Sequence, residues 1–229
     1  MKASEFFTLP ASLAPFAGYF SPEVPPWEWL KKIGLALAEW PFEGKTRGGL
    51  PPGVHVEGKV CLHPTVVLPP YAVIVGPVWI GAGSQVRPGA FIRGPVIAGE
   101  NCVLGNACEY KNSLLLDGVA TPHYNYVGDS ILGNRAHLGA GVICSNLRLD
   151  GQNVVVKAAG AVHETGLRKL GAIVGDDAEV GCNAVLNPGA VLGPRSQVMP
   201  TLAFSGFLPA DTIAKARQTV TLLRRERSP

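Results

Sequence analysis

The chain has few charged residues and few aromatic residues. Lys, Arg, Asp and Glu make up 16% of its 229 residues, and Phe, Trp and Tyr make up 7%. The formal net charge is +3, and basic residues cluster only at Arg224, Arg225 and Arg227, so we expect no nucleic-acid partner. No segment approaches the roughly 18 apolar residues that a membrane span requires. The N-terminal residues lack a sustained apolar stretch, and we expect neither secretion nor membrane association.

The cysteines form no CxxC pair and show no spacing typical of metal ligands. They are Cys61, Cys102, Cys108, Cys144 and Cys182. An odd number of cysteines without such a pattern predicts a reduced, cytoplasmic protein.

Glycine and proline are abundant, with 28 and 20 residues, and an aliphatic or small residue recurs at every sixth position. The first run is Val56, Leu62, Leu68, Ile74, Ile80, Val86 and Ile92. After a phase change the period continues at Val96, Cys102, Cys108, Leu114, Ala120, Tyr126, Leu132, Leu138 and Cys144, and later at Val174, Val180, Leu186, Leu192 and Val198. A period of six suits short strands separated by tight turns, each strand sending one side chain inward. Three such units form one coil of a triangular solenoid, with the cysteines at inward positions as core residues.

Three parts of the chain lie outside this period. Residues 26–40 place apolar residues at near-helical spacing behind a double proline, which predicts a helix leading into the first coil. Residues 147–173 carry no hexads, and we expect an inserted loop over a functional face. The predicted division is an N-terminal helical cap over 1–50, a β-helix over 51–206 and a C-terminal helix over 207–229, beginning near Pro209.

The stretch GNACEYKNSLLLDGVATPHYNYVGDSILGNRAHLGAGVICSN, residues 105–146, carries polar residues at fixed gaps within the repeats. It resembles the acetyltransferase domain of the bacterial bifunctional N-acetylglucosamine-1-phosphate uridyltransferases. Through SNLRLDG and TGLRKLGAIVGD it is more similar still to archaeal-type sugar-1-phosphate nucleotidyltransferases with acetyltransferase activity. The resemblance covers roughly residues 75–206 and implies a left-handed parallel β-helix, acetyl-CoA as donor, and a homotrimer with sites between neighbouring prisms. No glycine-rich nucleotide loop precedes the repeats, so uridylyl transfer is not expected.

Acetyl transfer to an amine needs a general base, because the attacking nitrogen must lose a proton. Histidine has a suitable pKa, and the resemblance implies that His123 in TPHYNYVGD is this base. It also implies that Asn146 in CSNLRLDG orients the histidine or holds the substrate, although an asparagine at a loop entry often only stabilises a turn. The implied acceptor is an amino-sugar phosphate similar to glucosamine-1-phosphate, and the reaction requires no metal.

The resemblance places two cations and a tyrosine at the sugar phosphate. Arg93 and Lys111 match the family's phosphate-binding residues, where positive charge offsets the charge of a phosphate. Arg87 is a rival of Arg93, since its local motif matches more closely but requires a gap. Tyr126 matches the family's sugar-phosphate tyrosine, but it also falls on the inward register of the hexads.

The acetyl-CoA side is expected along the glycine-rich coils. The resemblance implies that the pantetheine arm contacts backbone groups around Ala140 and Gly141, whose N–H groups could stabilise the oxyanion. Cys182 stands where the bacterial relatives carry a serine that is thought to protonate the leaving thiolate. Because a thiol is a poorer donor, this departure puts the leaving-group step in doubt.

The inserted segment contains a second departure. Archaeal-type relatives tend to carry lysines where this chain has Gln152 and Val155. Lys157 is the nearest cation, so we expect it to contact the substrate. Because the two lysines are replaced, we also expect an altered substrate preference or a reduced activity.

Three other interpretations remain open. The chain could be a non-catalytic β-helix scaffold, although it keeps the polar residues of the motif as well as the aliphatic hexads. It could acetylate another sugar or a sugar nucleotide. It could also resemble the γ-class carbonic anhydrases, in which three histidines bind a metal, and here only His123 and His137 are candidates for a shared face.

Overall fold

The computed structural model describes residues 1–42, 49–158, 160–217 and 221–225. Its N-terminal segment consists of short helices: 3-10 helices at Ala3–Glu5 and Ala11–Tyr19, then α1 (Pro26–Leu30) and α2 (Ile33–Ala38). The helix predicted over residues 26–40 is therefore present in two pieces. Pro26 occupies the first turn of α1, where backbone N–H groups have no intrahelical partner, so the N–H that proline lacks is not needed.

The strands are short and follow one another closely. Before the insertion they are β1 (Gly53–Glu57), β2 (Val60–Leu62), β3 (Tyr71–Val75), β4 (Val78–Ile80), β5 (Gln85–Val86), β6 (Phe91–Ala98), β7 (Val103–Asn106), β8 (Glu109–Leu115), β9 (Ala120–His123), β10 (Tyr126–Gly128), β11 (Ile131–Leu132), β12 (His137–Leu138) and β13 (Ile143–Cys144). The insertion contains β14 (Val154–Ala158) and β15 (Ala161–Leu167). After it come β16 (Ala172–Val174), β17 (Glu179–Val180), β18 (Val185–Leu186), β19 (Ala190–Leu192), β20 (Gln197–Val198), β21 (Ala203–Phe204), β22 (Phe207–Leu208) and β23 (Ile213–Ala214).

Apart from β14 and β15, these strands stack in parallel and form the predicted β-helix, with three faces around one core. The first face is β1, β3, β6, β8, β10, β13, β18 and β21, and the second is β5, β7, β9, β12, β17, β20 and β23. The third is β2, β4, β6, β8, β11, β16, β19 and β22, because β6 and β8 each turn a corner and contribute to two faces. The inward side chains repeat once per coil, so that buried Ile74 stacks on buried Ile92 eighteen residues later.

The coil length changes in the middle of the array, and this moves the inward register. Leu115 stacks on Ala98, and Val127 stacks on Tyr110, in each case after seventeen residues rather than eighteen. The inward residues here are consequently Leu115 and Val127. The inward positions predicted for Leu114, Ala120 and Tyr126 are wrong by one residue, and Tyr126 points outward from the first face.

The predicted C-terminal helix is absent from the described residues. Phe207–Leu208 and Ile213–Ala214 are strands that pair with the preceding coil, so the β-helix extends beyond residue 206. Residues 215–217 and 221–225 are in neither a helix nor a strand, and 218–220 and 226–229 lie outside the described residues.

The insertion is not an irregular loop, since β14 and β15 pair as an antiparallel hairpin. Val154 and Val156 of β14 are buried together with side chains of the N-terminal segment. Backbone hydrogen bonds between the two strands satisfy polar groups that a loop of this length would expose.

The N-terminal segment packs along the side of the solenoid rather than capping its first coil. The outward side chains of the third face, Ile97, Leu114, Ile131, Ile173 and Val191, form a second core with Leu13, Phe16, Trp29 and Leu37. Polar contacts at the corners fix the segment, since the Thr8 backbone N–H donates to Asp176 and the Ser12 hydroxyl to Asp117. Within the described residues, no helix is long and apolar enough to cross a membrane.

Candidate active site

A buried carboxylate gathers three of the polar side chains at one corner of the first face. Asp129 follows β10, and only 6% of its side chain is exposed. Its Oδ2 accepts hydrogen bonds from Lys111 Nζ at 2.9 Å and from Asn146 Nδ2 at 2.5 Å. Its Oδ1 accepts from Asn112 Nδ2 at 2.8 Å. We call these four residues the Asp129 cluster.

Sequence reasoning predicted Lys111 and Asn146 for the site but missed Asp129. Asp129 sits at a corner with φ of +48°, a left-handed conformation that Asp adopts more readily than most residues. The available signal is the coil period, since Lys111 lies one coil before Asp129 and Asn146 one coil after it. Residues one coil apart stack directly above one another, so their polar side chains can meet around the carboxylate.

Tyr126 joins this cluster from the outward side of β10. Its hydroxyl accepts a hydrogen bond from Asn146 Nδ2 at 3.2 Å. Its ring lies across Gly128, where an added Cβ would come within 2.5 Å of the tyrosine oxygen. The absence of a side chain at Gly128 therefore lets the ring lie flat on the strand and reach Asn146.

Arg93 lies one coil below Lys111, and the two are direct cross-strand partners. Its guanidinium forms an ion pair with Glu109 at 2.6 Å. The rival Arg87 lies away from them, where its Nε donates to Gln85 on the second face. The structure thus brings Arg93 rather than Arg87 next to Lys111, and each of the two cations already has a carboxylate partner.

His123 lies at the other edge of the first face, at the end of β9, and is exposed. Its carbonyl accepts from the N–H of Gly141 at 3.0 Å, and the carbonyl of Ala140 accepts from Asn183 at 2.8 Å. His123, Ala140 and the exposed Cys182 consequently occupy the same corner on successive coils. The residues predicted for the acetyl-CoA side are therefore brought together.

Within one chain, His123 does not contact the Asp129 cluster. The strand β10 runs from one corner to the other between them, and a strand advances about 3.3 Å per residue. The amide of Asn146 bonds to Asp129 and Tyr126 instead of to the histidine. The two halves of the predicted site thus lie at opposite edges of one face.

A cavity of about 620 Å³ lies between β14 and the corner after β13, and its lining includes Ser145 and Leu147, the chain neighbours of Asn146. Polar groups of Ser145, Asn187 and Ser205 line it, together with Lys157 and aliphatic side chains that include Leu149. Lys157 forms no ion pair with any described residue. Gln152 lies outside this cavity, where its backbone N–H donates to Asp150.

The loop beside this cavity is held by a bidentate ion pair between Arg148 and Asp150. The Arg148 guanidinium lowers the pKa of Asp150 to about 2, with a further contribution from the N–H of Gln152. Leu149, between them, is fully exposed. The pair thus fixes a loop that presents an apolar side chain to solvent.

Cys102, Cys108 and Cys144 are core residues, as their inward positions predicted. Burial raises the pKa of the Cys102 and Cys144 thiols to about 12, and it also raises the pKa of Cys108. Such thiols stay protonated and are poor nucleophiles. In the part of the chain that the structure describes, no three His, Cys, Asp or Glu side chains are placed to hold a metal.

A family model described as the GMPPB C-terminal domain matches residues 74–167. Curated relatives match a longer part of the chain. The bifunctional sugar-1-phosphate nucleotidylyltransferase/acetyltransferase of Sulfurisphaera tokodaii is 32% identical over 185 residues, which cover 81% of this chain and 46% of the relative. The bifunctional protein GlmU of Methanococcus maripaludis is 35% identical over 181 residues, with 79% and 43% covered. The chain spans less than half the length of both relatives.

A third relative is closer in length. The uncharacterized acetyltransferase YaiX of Escherichia coli is 31% identical over 163 residues, which cover 63% of this chain and 71% of the relative.

Proposed function

The chain belongs to the hexapeptide-repeat acetyltransferase family, and on that premise we propose that it transfers an acetyl group from acetyl-CoA to the amine of an amino-sugar phosphate. The observation that carries the proposal is the paired arrangement on the first face. One corner has an exposed histidine stacked with a glycine-rich coil, and the other has a polar cluster next to a cavity.

The proposed reaction is a direct attack by the acceptor on acetyl-CoA, through a tetrahedral intermediate. The amine nitrogen attacks the thioester carbonyl, a C–N bond forms, and the C–S bond breaks as the thiolate leaves with its electron pair. His123 takes the proton that the nitrogen loses, since it is the exposed imidazole at the predicted donor corner. No side chain acts as a covalent nucleophile, and no metal is assigned a role.

Acetyl-CoA is proposed to lie along the corner formed by His123, Ala140 and Cys182. The backbone N–H groups of this glycine-rich coil are the candidates for stabilising the oxyanion of the tetrahedral intermediate. Gly139 lets this coil stack closely on the next one, because a Cβ there would lie 2.8 Å from the Cys182 nitrogen. Cys182 is exposed next to it, where a donor to the leaving sulfur would be needed.

The acceptor is proposed to bind at the Asp129 cluster and the adjoining cavity. Arg93, Lys111 and Lys157 supply positive charge for the phosphate, although Glu109 and Asp129 partly offset the first two. The cavity has room for more than a monosaccharide phosphate, which favours a sugar nucleotide as a second candidate acceptor.

We propose that the complete site forms between copies of the chain in a homotrimer. The face between the two corners carries half-exposed apolar side chains, including Phe91, Ile143 and Val185. Packing of such faces in a closed ring buries them and brings the His123 corner of one copy towards the Asp129 cluster of another.

The test is the release of free thiol from acetyl-CoA in the presence of glucosamine-1-phosphate, galactosamine-1-phosphate or a UDP-linked amino sugar. The expected result is release by the wild type with at least one acceptor and a loss of about 10²-fold or more in His123→Ala. His55→Ala is the matched control, because His55 is an exposed histidine on β1, several coils away. If no acceptor supports release and acetyl-CoA does not bind, the chain is a non-catalytic scaffold.

A further inference from the structure

The hydrogen bonds of Asp129 determine which atom of the Asn146 amide is available to a ligand. A carboxylate is an acceptor only, so the amide group 2.5 Å from Asp129 Oδ2 must be the NH2. The same nitrogen donates to the Tyr126 hydroxyl at 3.2 Å. Both amide N–H bonds are therefore used within the cluster.

The carbonyl oxygen of Asn146 is thus the free end of the side chain. Among the described residues, none donates a hydrogen bond to Oδ1, and Asn146 is only partly buried. An isolated asparagine at a loop entry can present either end of its amide to a ligand. Here the amide is fixed by Asp129, which is itself held by Lys111 and Asn112.

We infer that Asp129 is a positioning residue. It fixes the amide of Asn146 so that the free carbonyl oxygen accepts a hydrogen bond from the amine of the acceptor. A carbonyl oxygen is an acceptor only, so it attracts an ammonium or amine group and repels phosphate oxygens. Lys111 balances the charge of Asp129, so the pair orients the amide without adding a net negative charge. The inference rests on the proposed function and deepens it, because it assigns the amine end of the substrate to Asn146.

This assignment also places the phosphate. The negative group of the acceptor must point away from Asn146, towards donors that remain free. Lys157 is such a cation, in the cavity that is lined by Ser145 and Leu147 on either side of Asn146 in the chain. The amine would then lie at the edge of the first face, which is the edge that packing between copies brings towards His123.

The experiment measures binding without acetyl-CoA by calorimetry, using glucosamine-1-phosphate and 2-deoxyglucose-1-phosphate. The second ligand lacks any donor at the carbon that carries the amine. We expect the wild type to bind the amine ligand about tenfold or more tightly than the deoxy ligand, since a hydrogen bond to a charged group is at stake. In Asp129→Ala the ratio of the two affinities should fall towards one. The deoxy ligand should still bind, because Lys111 loses its ion-pair partner and stays available for the phosphate.

Two further variants separate positioning from folding. Asn146→Leu keeps the Lys111–Asp129 pair and should also lose the preference for the amine. Asp177→Ala is the matched control, because Asp177 has φ of +58° and an ion pair with Arg135 at another corner, and its ratio should stay at the wild-type value. Ala107 adopts φ of +48° in this chain, so alanine is compatible with the corner at 129.

The outcomes distinguish this inference from the proposed function. A wild type that prefers the amine but releases no thiol from acetyl-CoA would refute the acetyl transfer and support the role of Asp129. A wild type that acetylates the amine, with an unchanged ratio in Asp129→Ala and Asn146→Leu, would overturn the inference and leave the reaction standing. A wild type that binds both ligands equally would also overturn it.

Discussion

Lys111 and Asp129 face each other from successive coils, and their ion pair, at 2.9 Å, is the most buried one in the described parts of the chain. Exposed ion pairs contribute little to stability, because water screens them and ordering two long side chains costs entropy. A pair at a buried corner differs, since loss of one partner leaves the other charge without compensation.

Replacement of Lys111 by methionine should therefore lower the free energy of unfolding by about 2–3 kcal/mol, because Asp129 is left buried with amide donors only. Arg135→Met is the control, since Arg135 also pairs with a corner aspartate but is 64% exposed, and about 0–1 kcal/mol is expected there. Urea denaturation of both variants provides the measurement. Equal losses would show that the Lys111 pair is no more important than a surface pair.

Gly128→Ala should reduce acetyl transfer more than it reduces stability. The new Cβ would overlap the Tyr126 ring, and displacement of the ring removes the hydroxyl that accepts from Asn146. We expect the KM for the amino-sugar acceptor to rise about tenfold, which corresponds to one lost hydrogen bond of about 1.4 kcal/mol.

Steady-state kinetics with the acceptor varied provide the test of Gly128→Ala. Gly34→Ala is the control, because the nearest atom to a Cβ there is 3.9 Å away and the glycine lies in α2. An unchanged KM in Gly128→Ala would mean that the tyrosine does not contribute to acceptor binding.

The sequence was sufficient to predict the repeat and the solenoid, but it did not determine the register throughout. Leu114, Leu115 and Leu116 are consecutive leucines, so a coil of seventeen residues and one of eighteen both place an aliphatic side chain inward. The corner geometry decides between them, and it turns Tyr126 outward. The undetermined register is also the reason why Asp129 was missed, since its contacts depend on which residues of the neighbouring coils stack on it.

The N-terminal segment shows a second limit of the hexad pattern. On the third face, aliphatic residues come in adjacent pairs, such as Ile131 with Leu132 and Ile173 with Val174. Adjacent apolar residues in a strand indicate burial on both sides, and this signal could have predicted a covering element. The prediction of a C-terminal helix was wrong for another reason. The strand β20 offers backbone groups for one more parallel partner, and Ile213 and Ala214 pair with it as β23.

Cys182 should be the one thiol that a disulfide reagent modifies rapidly in the native protein. Cys61, Cys102, Cys108 and Cys144 are buried, whereas Cys182 is exposed. Titration with 5,5′-dithiobis(2-nitrobenzoic acid) should give one fast equivalent, and Cys182→Ser should remove it. If acetyl-CoA binds along this corner, a saturating concentration should slow the fast reaction at least about tenfold, whereas fast modification in its presence would place the donor elsewhere.

Trp29 provides a test of whether the N-terminal segment is part of the folded unit. Its ring is 1% exposed in the second core, and its Nε1 donates to the carbonyl of Ser21 at 2.7 Å. Trp29→Ala should cost about 3–5 kcal/mol, as expected for a large buried aromatic side chain. Leu35→Ala in the same segment should stay within about 0.5 kcal/mol, because Leu35 is 51% exposed. If both variants unfold at the wild-type urea concentration, the segment is not coupled to the β-helix. A lower urea midpoint in Trp29→Ala alone means that the segment stabilises the third face, and thereby the coils that carry the site.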